Sequence, residues 1–252
     1  MKTRNITFKI IGGVTLIAIL ALQGWGCKKE NTTESNDANL NSPSLKSSDA
    51  SYVFPPNANM YGKSFAQWAA EWWKWNLQFD CAHVPLWDID GSRENQNQSG
   101  QVFFLSGRRG NTLNVTVPAN VSLFLPLITF ESDYPCGDAQ PAPGETIEHF
   151  LIAETQASVD VMDQLSLTID GHSIGNLNDY KVVSPMFTIA ANGDLANCFD
   201  DCITGQQQPF VGGGPFFMLK KLKKGAHTIH RVGGASAYFP FVYDITYNIT
   251  QL

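Results

Sequence analysis

The feature that most constrains the fold is an aromatic segment between residues 64 and 79. Ser64 followed by Gln67 has the form of a helix-capping box, which predicts a helix that begins at this serine. At about 100° per residue, the apolar side chains cover more than half of the helix circumference; they are Phe65, Trp68, Ala69, Trp72, Trp73, Trp75, Leu77 and Phe79. A helix with so wide an apolar face must be largely covered, so we expect it to lie across a sheet. Asn76 falls inside the apolar arc and needs a hydrogen-bond partner if it is buried.

The tryptophans of this helix have a second interpretation, which is a platform for stacking sugar rings. Glu71 borders the aromatic arc beside Trp75, where a carboxylate would suit glycan binding. Glycan hydrolysis would require a second carboxylate at a set distance. Aromatic side chains at helical spacing more often form a core, and we favour that interpretation. Glu71 and Trp75 nevertheless remain candidate ligand-binding residues.

Most of the chain after residue 100 is predicted to form strands. Period-two alternation of apolar and polar residues indicates strands with one wet face, and the candidate segments are 101–106, 112–118, 121–130, 164–170, 180–189, 215–222, 226–232 and 238–249. Asp170 with Gly171, and Lys224 with Gly225, are typical of hairpin turns. One further helix is expected over about residues 145–163. The predicted fold is therefore mainly β, an antiparallel, jelly-roll-like β-sandwich with the Trp-rich helix packed on it.

The N-terminus predicts export. Basic residues precede an apolar stretch, 10–22, that is too short to span a bilayer comfortably, so residues 1–26 are interpreted as a signal peptide. Cys27 follows small residues and resembles the lipidated cysteine of a lipobox. The polar residues that follow it are similar to the start of Bacteroidetes lipoproteins, which implies a lipid anchor in the outer membrane or at the cell surface. An ordinary signal peptide cut nearby and an uncleaved anchor are the alternatives.

The predicted mature chain has a tether and one domain. Residues 27–52 are polar with almost no large apolar side chain, so we expect a disordered tether, followed by a single β-rich domain over residues 53–252. The formal net charge of −6 excludes nucleic acid as an expected partner, because phosphate backbones bind basic surfaces. The expected contact with a membrane is therefore the lipid on Cys27.

Four cysteines lie in the predicted domain: Cys81, Cys136, Cys198 and Cys202. An even number in an oxidising compartment favours two disulfides. We expect Cys198 to pair with Cys202 across a tight ring and Cys81 to pair with Cys136. A zinc site is the alternative, but no Cys-x-x-Cys spacing or nearby histidine supports it.

A candidate metal loop follows residue 87. Asp88, Asp90 and Ser92 alternate as oxygen ligands around Gly91, which is the type of loop that Ca²⁺ favours. A full calcium loop would need a glutamate near position 99, where Ser99 stands. The alternative is a plain turn. We expect no other cofactor.

Three predicted connections are long, 81–100, 131–144 and 190–214, and such loops are usually functional or disordered. We expect at least two of them to gather at one end of the domain and to line a binding site. Their candidate ligand-binding residues are Trp87, Arg93, Tyr134, Asp200, Asp201 and Phe210. Glu145 and His149 share a helix face and could exchange a proton, although a surface pair is the commoner outcome. No catalytic motif is recognisable, so no catalytic residue is assigned.

The aromatic segment also carries a resemblance. It is similar to the opening of an uncharacterised family of secreted bacterial proteins, on the residues Tyr61, Gly62, Lys63, Ser64, Phe65, Trp72, Trp73 and Trp75. Segments 100–107, 117–128, 225–229 and 244–247 extend the similarity to about residues 60–250. The resemblance implies one coherent domain and supplies no catalytic residue.

Three classes of function remain. The first is a cell-envelope binding module, with glycans as the favoured ligand. The second is a secreted hydrolase or lyase, which should show a deep cleft with converging ionisable groups. The third is a structural role in the envelope, which would need no concave site.

Overall fold

A computed structural model of the chain describes residues 48–137, 139–238 and 242–252. The predicted signal peptide, Cys27 and most of the predicted tether lie outside the described residues. The two helices are α1 (Phe65–Leu77) and α2 (Ile147–Asp160). The strands are β1 (Val102–Phe104), β2 (Asn111–Val117), β3 (Ser122–Pro126), β4 (Phe130–Asp133), β5 (Gln164–Ile169), β6 (His172–Ser173), β7 (Lys181–Val183), β8 (Phe187–Ala190), β9 (Gln207–Leu219), β10 (Gly225–Gly234) and β11 (Val242–Gln251).

The strands form two sheets. In the six-stranded sheet, β9 is the central strand and pairs with β3, β4, β7 and β8, while β1 lies beyond β3. The five-stranded sheet has the order β2-β11-β10-β5-β6. The prediction of a mainly β domain with two helices is confirmed. Among the described residues, no helix is long and apolar enough to cross a bilayer.

The expectation of a purely antiparallel arrangement is wrong, because both sheets are mixed. β1 pairs with β3 in parallel, and β2 pairs with β11 in parallel. The reason is the order in which the chain visits the sheets. Since β2 belongs to the five-stranded sheet, the chain leaves the first sheet after β1 and returns in the same direction at β3.

Helix α1 begins where the capping box predicted. Ser64 Oγ accepts a hydrogen bond from Gln67 N at 3.3 Å, and Gln67 Oε1 accepts one from Ser64 N at 2.9 Å. Three of its tryptophans are core residues, since Trp72, Trp73 and Trp75 are each 4% exposed or less. Trp72 meets Phe216 of β9 edge to face, with ring centroids 5.8 Å apart. These side chains are therefore part of the hydrophobic core and do not form an exposed stacking platform.

Glycines in β9 allow both helices to approach this strand closely. A Cβ atom on Gly212 would collide with the indole of Trp73 in α1, and one on Gly213 would collide with Val159 and Thr155 in α2. Adjacent residues of a strand point to opposite faces. The two helices therefore contact opposite faces of β9. The sequence prediction began this strand at residue 215, whereas β9 begins at Gln207.

The two sheets are joined by the buried side chain of Arg231 in β10, which is 3% exposed. Its Nη1 donates to the carbonyl oxygens of Pro126 at 2.7 Å and Leu127 at 2.8 Å, at the end of β3 in the other sheet. Its Nε donates to Tyr247 Oη at 2.9 Å, and Tyr247 Oη in turn donates to the carbonyl oxygen of Ser106. One guanidinium thus donates to backbone carbonyl groups at the end of β3 in the other sheet.

A buried polar network continues from Ser106 toward α1. Glu94, which is fully buried, accepts a hydrogen bond from Ser106 N at 2.8 Å. Asn76 donates to Trp72 O at 3.0 Å and accepts from Ser106 Oγ at 3.3 Å. Burial raises the pKa of Glu94 well above its usual range, and the Asp88 charge adds to this effect, while Ser106 N and Arg231 oppose it. Asn76 is therefore a structural polar link, and it has the hydrogen-bond partners that a buried amide needs.

Two predicted boundaries differ from the structure. Asp49, assigned to the tether, is 2% exposed, and its carboxylate accepts from His172 Nε2 at 2.9 Å and Gly175 N at 3.0 Å. The folded domain therefore includes residues 48–52. The hairpin turn at Asp170 and Gly171 is confirmed between β5 and β6. The one expected at Lys224 and Gly225 is wrong, because β9 and β10 lie in different sheets.

Replacing Arg231 should destabilise the domain strongly. Arg231→Ala leaves the Pro126 and Leu127 carbonyls buried without this donor, so we expect the free energy of unfolding to fall by about 3–5 kcal/mol. The matched control is His230→Ala on the same strand, whose side chain is 38% exposed and pairs with Asp244. Its effect should stay within about 1 kcal/mol. Urea denaturation followed by tryptophan fluorescence measures both, and equal effects would contradict the linking role of Arg231.

Candidate functional site

Two disulfides are present, as predicted, but their pairing corrects the expectation. Cys81 bonds Cys198, with Cα atoms 6.0 Å apart, and Cys136 bonds Cys202, with Cα atoms 5.0 Å apart. The predicted Cys198–Cys202 and Cys81–Cys136 pairs are therefore wrong. The connection from β8 to β9 packs against the end of α1, where Cys81 N donates to Asp194 Oδ2 at 3.0 Å, and this contact turns Cys198 toward Cys81.

The disulfides join three long connections into one surface. These connections are 78–101, 134–146 and 191–206, described without residue 138, and we call their joined surface the loop face. The connection 191–206 is the middle partner, because one disulfide ties it to each of the others. The expectation that at least two long loops gather is confirmed. Two disulfides between distant segments are typical of an oxidising, extracytoplasmic compartment.

Carboxylates converge at the inner side of the loop face. Glu131 and Asp133 are two residues apart on β4 and share one face of that strand. Asp200 and Asp201 approach them from the connection 191–206. Ligand atoms of Asp133, Asp200 and the Cys136–Cys202 sulfurs all lie within 4.8 Å of one another. We call Glu131, Asp133, Asp200 and Asp201 the carboxylate cluster.

Burial decreases from the inside of the carboxylate cluster to its outside. Asp133 is 4% exposed and Glu131 is 8% exposed, whereas Asp200 is half-buried and Asp201 is exposed. Gln208 Nε2 donates to Asp133 Oδ2 at 2.5 Å, and Asp200 Oδ1 accepts from Cys202 N at 2.9 Å. Gln208 Nε2 also donates to Cys202 O at 3.3 Å, so this side chain of β9 links β4 to the connection 191–206 beside the Cys136–Cys202 disulfide.

Proton affinity is high in the inner part of the cluster. Burial raises the pKa of Asp133 to about 7, and the negative charges of Asp200 and Asp201 add to this effect. Burial likewise raises the pKa of Glu131 well above its usual range, together with the charges of Asp133 and Asp200. Each charged neighbour that raises these two pKa values is another carboxylate. Burial and like charge therefore both favour the protonated form of the two inner carboxyl groups.

The structure brings some of the candidate ligand-binding residues from the sequence together at the carboxylate cluster. Asp200 and Asp201 belong to it, and Tyr134 follows Asp133 directly, with its hydroxyl donating to Gln140 Oε1 at 2.8 Å. The sequence analysis missed Glu131, Asp133 and Gln208. A pair of acidic residues, two positions apart and directly after the segment predicted as a strand at 121–130, could have indicated Glu131 and Asp133. Such spacing places both side chains on one face of a strand.

The remaining candidates are not members of the carboxylate cluster. Phe210 lies beside it, as the β9 residue paired with Asp133. Phe210 is fully buried and stacks on Phe187, and Trp75 is 4% exposed and donates to Gln96 O at 2.8 Å. Glu71 pairs with Lys74 at 3.0 Å and Lys63 at 3.2 Å. Partial burial alone would raise the pKa of Glu71, but these two ammonium groups lower it. None of these three residues takes part in the carboxylate cluster.

The predicted calcium loop forms a turn whose first carboxylate is occupied by backbone groups. Asp88 is fully buried and accepts from the N–H groups of Asp90 at 3.2 Å, Gly91 at 3.0 Å and Arg93 at 2.9 Å. Asp90 accepts from Ser92 N at 2.9 Å. The guanidinium of Arg93 donates to Val84 O at 3.2 Å, and Trp87 is half-buried nearby in the chain. These bonds satisfy Asp88 without an ion, and calcium binding here stays a prediction.

A small cavity is bordered by Trp73 and Phe199. Its volume is about 50 Å³, and its lining includes Trp72, Ser106, Thr129, Phe199 and Arg231. This space suits a few water molecules. It is far smaller than the roughly 300–1,000 Å³ of a typical ligand pocket.

Comparison with known proteins leaves the chain without a family assignment. No family model matches it, and no curated protein matches it. One solved structure, described as the solution structure of amebosin, is similar to 57% of this chain and 90% of its own, with 11% identity and a TM-score of 0.18. A likeness at that score carries no argument about fold or function.

The raised pKa values predict an unusual pH dependence. A carboxyl group whose pKa is raised on folding keeps a proton that the unfolded chain has lost, so stability falls as pH rises toward the folded pKa. For Asp133 this window runs from the ordinary aspartate pKa of 3.8 to about 7. Without divalent cations, each inner carboxyl should lower the free energy of unfolding by up to about 1.4 kcal/mol per pH unit within its window.

The measurement is urea denaturation between pH 5 and pH 8 in the presence of a chelator. Glu131→Gln combined with Asp133→Asn removes both titrating groups, so this variant should lose less stability over the range than the wild type. Glu94 and His227 also have raised pKa values, but they contribute equally to both proteins. Identical slopes for the two proteins would show that the inner carboxyls are not protonated at neutral pH.

Proposed function

We propose that this chain is a cell-envelope lipoprotein whose domain is a binding module for a glycan or another polar envelope component. Cys27 is its proposed lipid-anchor site, with residues 1–26 as the signal peptide, and the outer membrane or cell surface is its proposed location. The domain is proposed to be a jelly-roll-like sandwich. The loop face is its proposed ligand surface.

The observation that carries the proposal is the convergence of three connections through two disulfides. Loops held in place by covalent links keep their polar groups in fixed positions, which lowers the entropy lost on binding. The rim of this surface offers the phenol of Tyr134, the amide of Gln140 and the carboxylate of Asp201. Carboxylate and amide oxygens accept hydrogen bonds from sugar hydroxyls, and an aromatic ring can stack on a sugar.

A secreted hydrolase or lyase is the second candidate. It is favoured by the raised pKa of Asp133, because an acid protonated near pH 7 beside an ionised carboxylate suits acid–base chemistry. Access argues against it. Asp133 is 4% exposed and Glu131 is 8% exposed, so the two inner carboxyls are out of reach of a polymer. Binding at the rim therefore fits the geometry better than cleavage inside.

An array of defined glycans, with product analysis of every positive spot, tests the binding module. Tyr134→Ala combined with Asp201→Ala should weaken binding at least about tenfold, because a stacking contact and a charged hydrogen bond are lost. The matched control is Glu148→Ala with Glu154→Ala, two exposed carboxylates on α2. Glycan cleavage would instead support the enzyme, and equal binding by both variants would remove the loop face as the ligand surface.

The anchor has a separate test in a bacterial host that lipidates exported proteins. Cys27→Ser removes the only thiol near the predicted cleavage site, so the mature protein should move from the membrane fraction to the soluble fraction. Mass spectrometry of the wild-type N-terminal peptide should show a diacylglyceryl group on Cys27. Wild-type protein without that group, or a Cys27→Ser variant that stays in the membrane fraction, would refute the anchor.

A further inference from the structure

Glu131 in the carboxylate cluster is a buried acid, and one of its carboxyl oxygens has no hydrogen-bond partner among the described residues. The side chain is 8% exposed, and its carboxyl group lies within hydrogen-bonding reach of that of Asp200. Within the described part of the chain, Glu131 Oε2 is buried and has no hydrogen-bond partner. A buried polar atom without a partner costs about 1–3 kcal/mol, so such atoms in folded proteins usually face water or an ion.

Glu131 lies among other carboxylates. The charges of Asp133 and Asp200 repel that of Glu131. The charges of Asp200 and Asp201 likewise repel that of Asp133. No ion pair with a lysine, arginine or histidine is present at these four residues in the part of the chain that the structure describes. Protons can relieve this repulsion, and so can a cation.

The spacing of the ligand atoms fits an ion. An oxygen of Asp133 and an oxygen of Asp200 lie within 4.8 Å of each other. Two oxygens that share a Ca²⁺ ion at about 2.4 Å each can be separated by at most twice that distance. Cys202 O, which accepts from Gln208 Nε2 at 3.3 Å, is a carbonyl oxygen in the same turn.

We propose that the carboxylate cluster is a divalent cation site, with Glu131, Asp133 and Asp200 as its protein ligands. This inference goes beyond glycan binding and does not depend on it. Asp201 stands at the exposed rim and adds negative charge. The ion offsets the mutual repulsion of these carboxylates and gives the buried Glu131 Oε2 a partner.

The ligand chemistry selects a hard cation. Carboxylate and carbonyl oxygens suit Ca²⁺, Mg²⁺ and Mn²⁺. Cys136 and Cys202 are part of the same group of atoms, but their sulfurs are bonded to each other and offer no thiolate to a soft metal. Ca²⁺ is the expected ion, because it accepts irregular oxygen geometry more readily than Mg²⁺ does.

Calcium titration of the chelator-treated protein, with both disulfides intact, tests this site. Ca²⁺ should raise the melting temperature, because an ion that binds only the folded state stabilises it by mass action. Tb³⁺, an oxygen-seeking probe, should show luminescence sensitised by Trp73. This indole contacts Gly212, which pairs with Glu131 across β4 and β9.

Two substitutions separate ion binding from folding. Glu131→Gln and Asp133→Asn keep the side-chain shape and remove negative charge, so both variants should fold and should resist unfolding at pH 8 at least as well as the wild type. Their affinity for Ca²⁺ should fall by at least about tenfold. Glu148→Gln on α2 is the matched control and should bind like the wild type.

Loss of the thermal shift and of Tb³⁺ luminescence in the folded Glu131→Gln variant supports the site. No response of the wild type to millimolar Ca²⁺, Mg²⁺ or Mn²⁺ overturns it, and so does an undiminished response of both variants. A response lost only in Asp88→Asn would move the ion to the turn at Asp88. Failure of the glycan array affects none of these readouts.

Discussion

The contact between the two sheets depends on the guanidinium of Arg231, the one buried cation among the described residues. This guanidinium leaves the five-stranded sheet and donates to the carbonyl oxygens of Pro126 and Leu127 at the end of β3 in the other sheet. Gly233 on the same strand allows the backbone of Leu127 to approach, because a Cβ there would collide with the Leu127 carbonyl. A buried charge is tolerated only when its donors are satisfied. The position of β3, and hence of β4 after it, is therefore linked to Arg231.

The loop face adjoins strands whose positions depend on the contact between Arg231 and the end of β3. β4 presents Glu131 and Asp133 beside β9, and the connection 191–206 covers them because disulfides tie it to both neighbouring connections. Each disulfide closes a long loop, of 117 and 66 residues in sequence separation, so the unfolded chain loses considerable conformational freedom. That constraint opposes the repulsion among the carboxylates. The disulfides thus hold the connection 191–206, with Asp200 and Asp201, beside Glu131 and Asp133.

Local features of the sequence predicted local features of the structure. The capping box at Ser64 and Gln67, the apolar arc of α1 and the alternating strands depend on neighbours within a few residues, and each is found in the structure. The cysteine pairing and the parallel β1–β3 pair depend on contacts between segments far apart in sequence, which one sequence does not encode visibly. The placement of Glu131 and Asp133 depends on both local and distant features of the sequence. Their shared face was readable from their spacing, but their burial arises from a connection some 60 residues later in the chain.

The most direct test of the account is anomalous diffraction from crystals of the domain soaked in Mn²⁺, a carboxylate-seeking ion with a usable anomalous signal. The account predicts a peak in contact with the carboxylates of Glu131, Asp133 and Asp200, beside the Cys136–Cys202 disulfide. A peak at the turn formed by Asp88 and Asp90 instead, or no peak at the carboxylate cluster at saturating Mn²⁺, would contradict it.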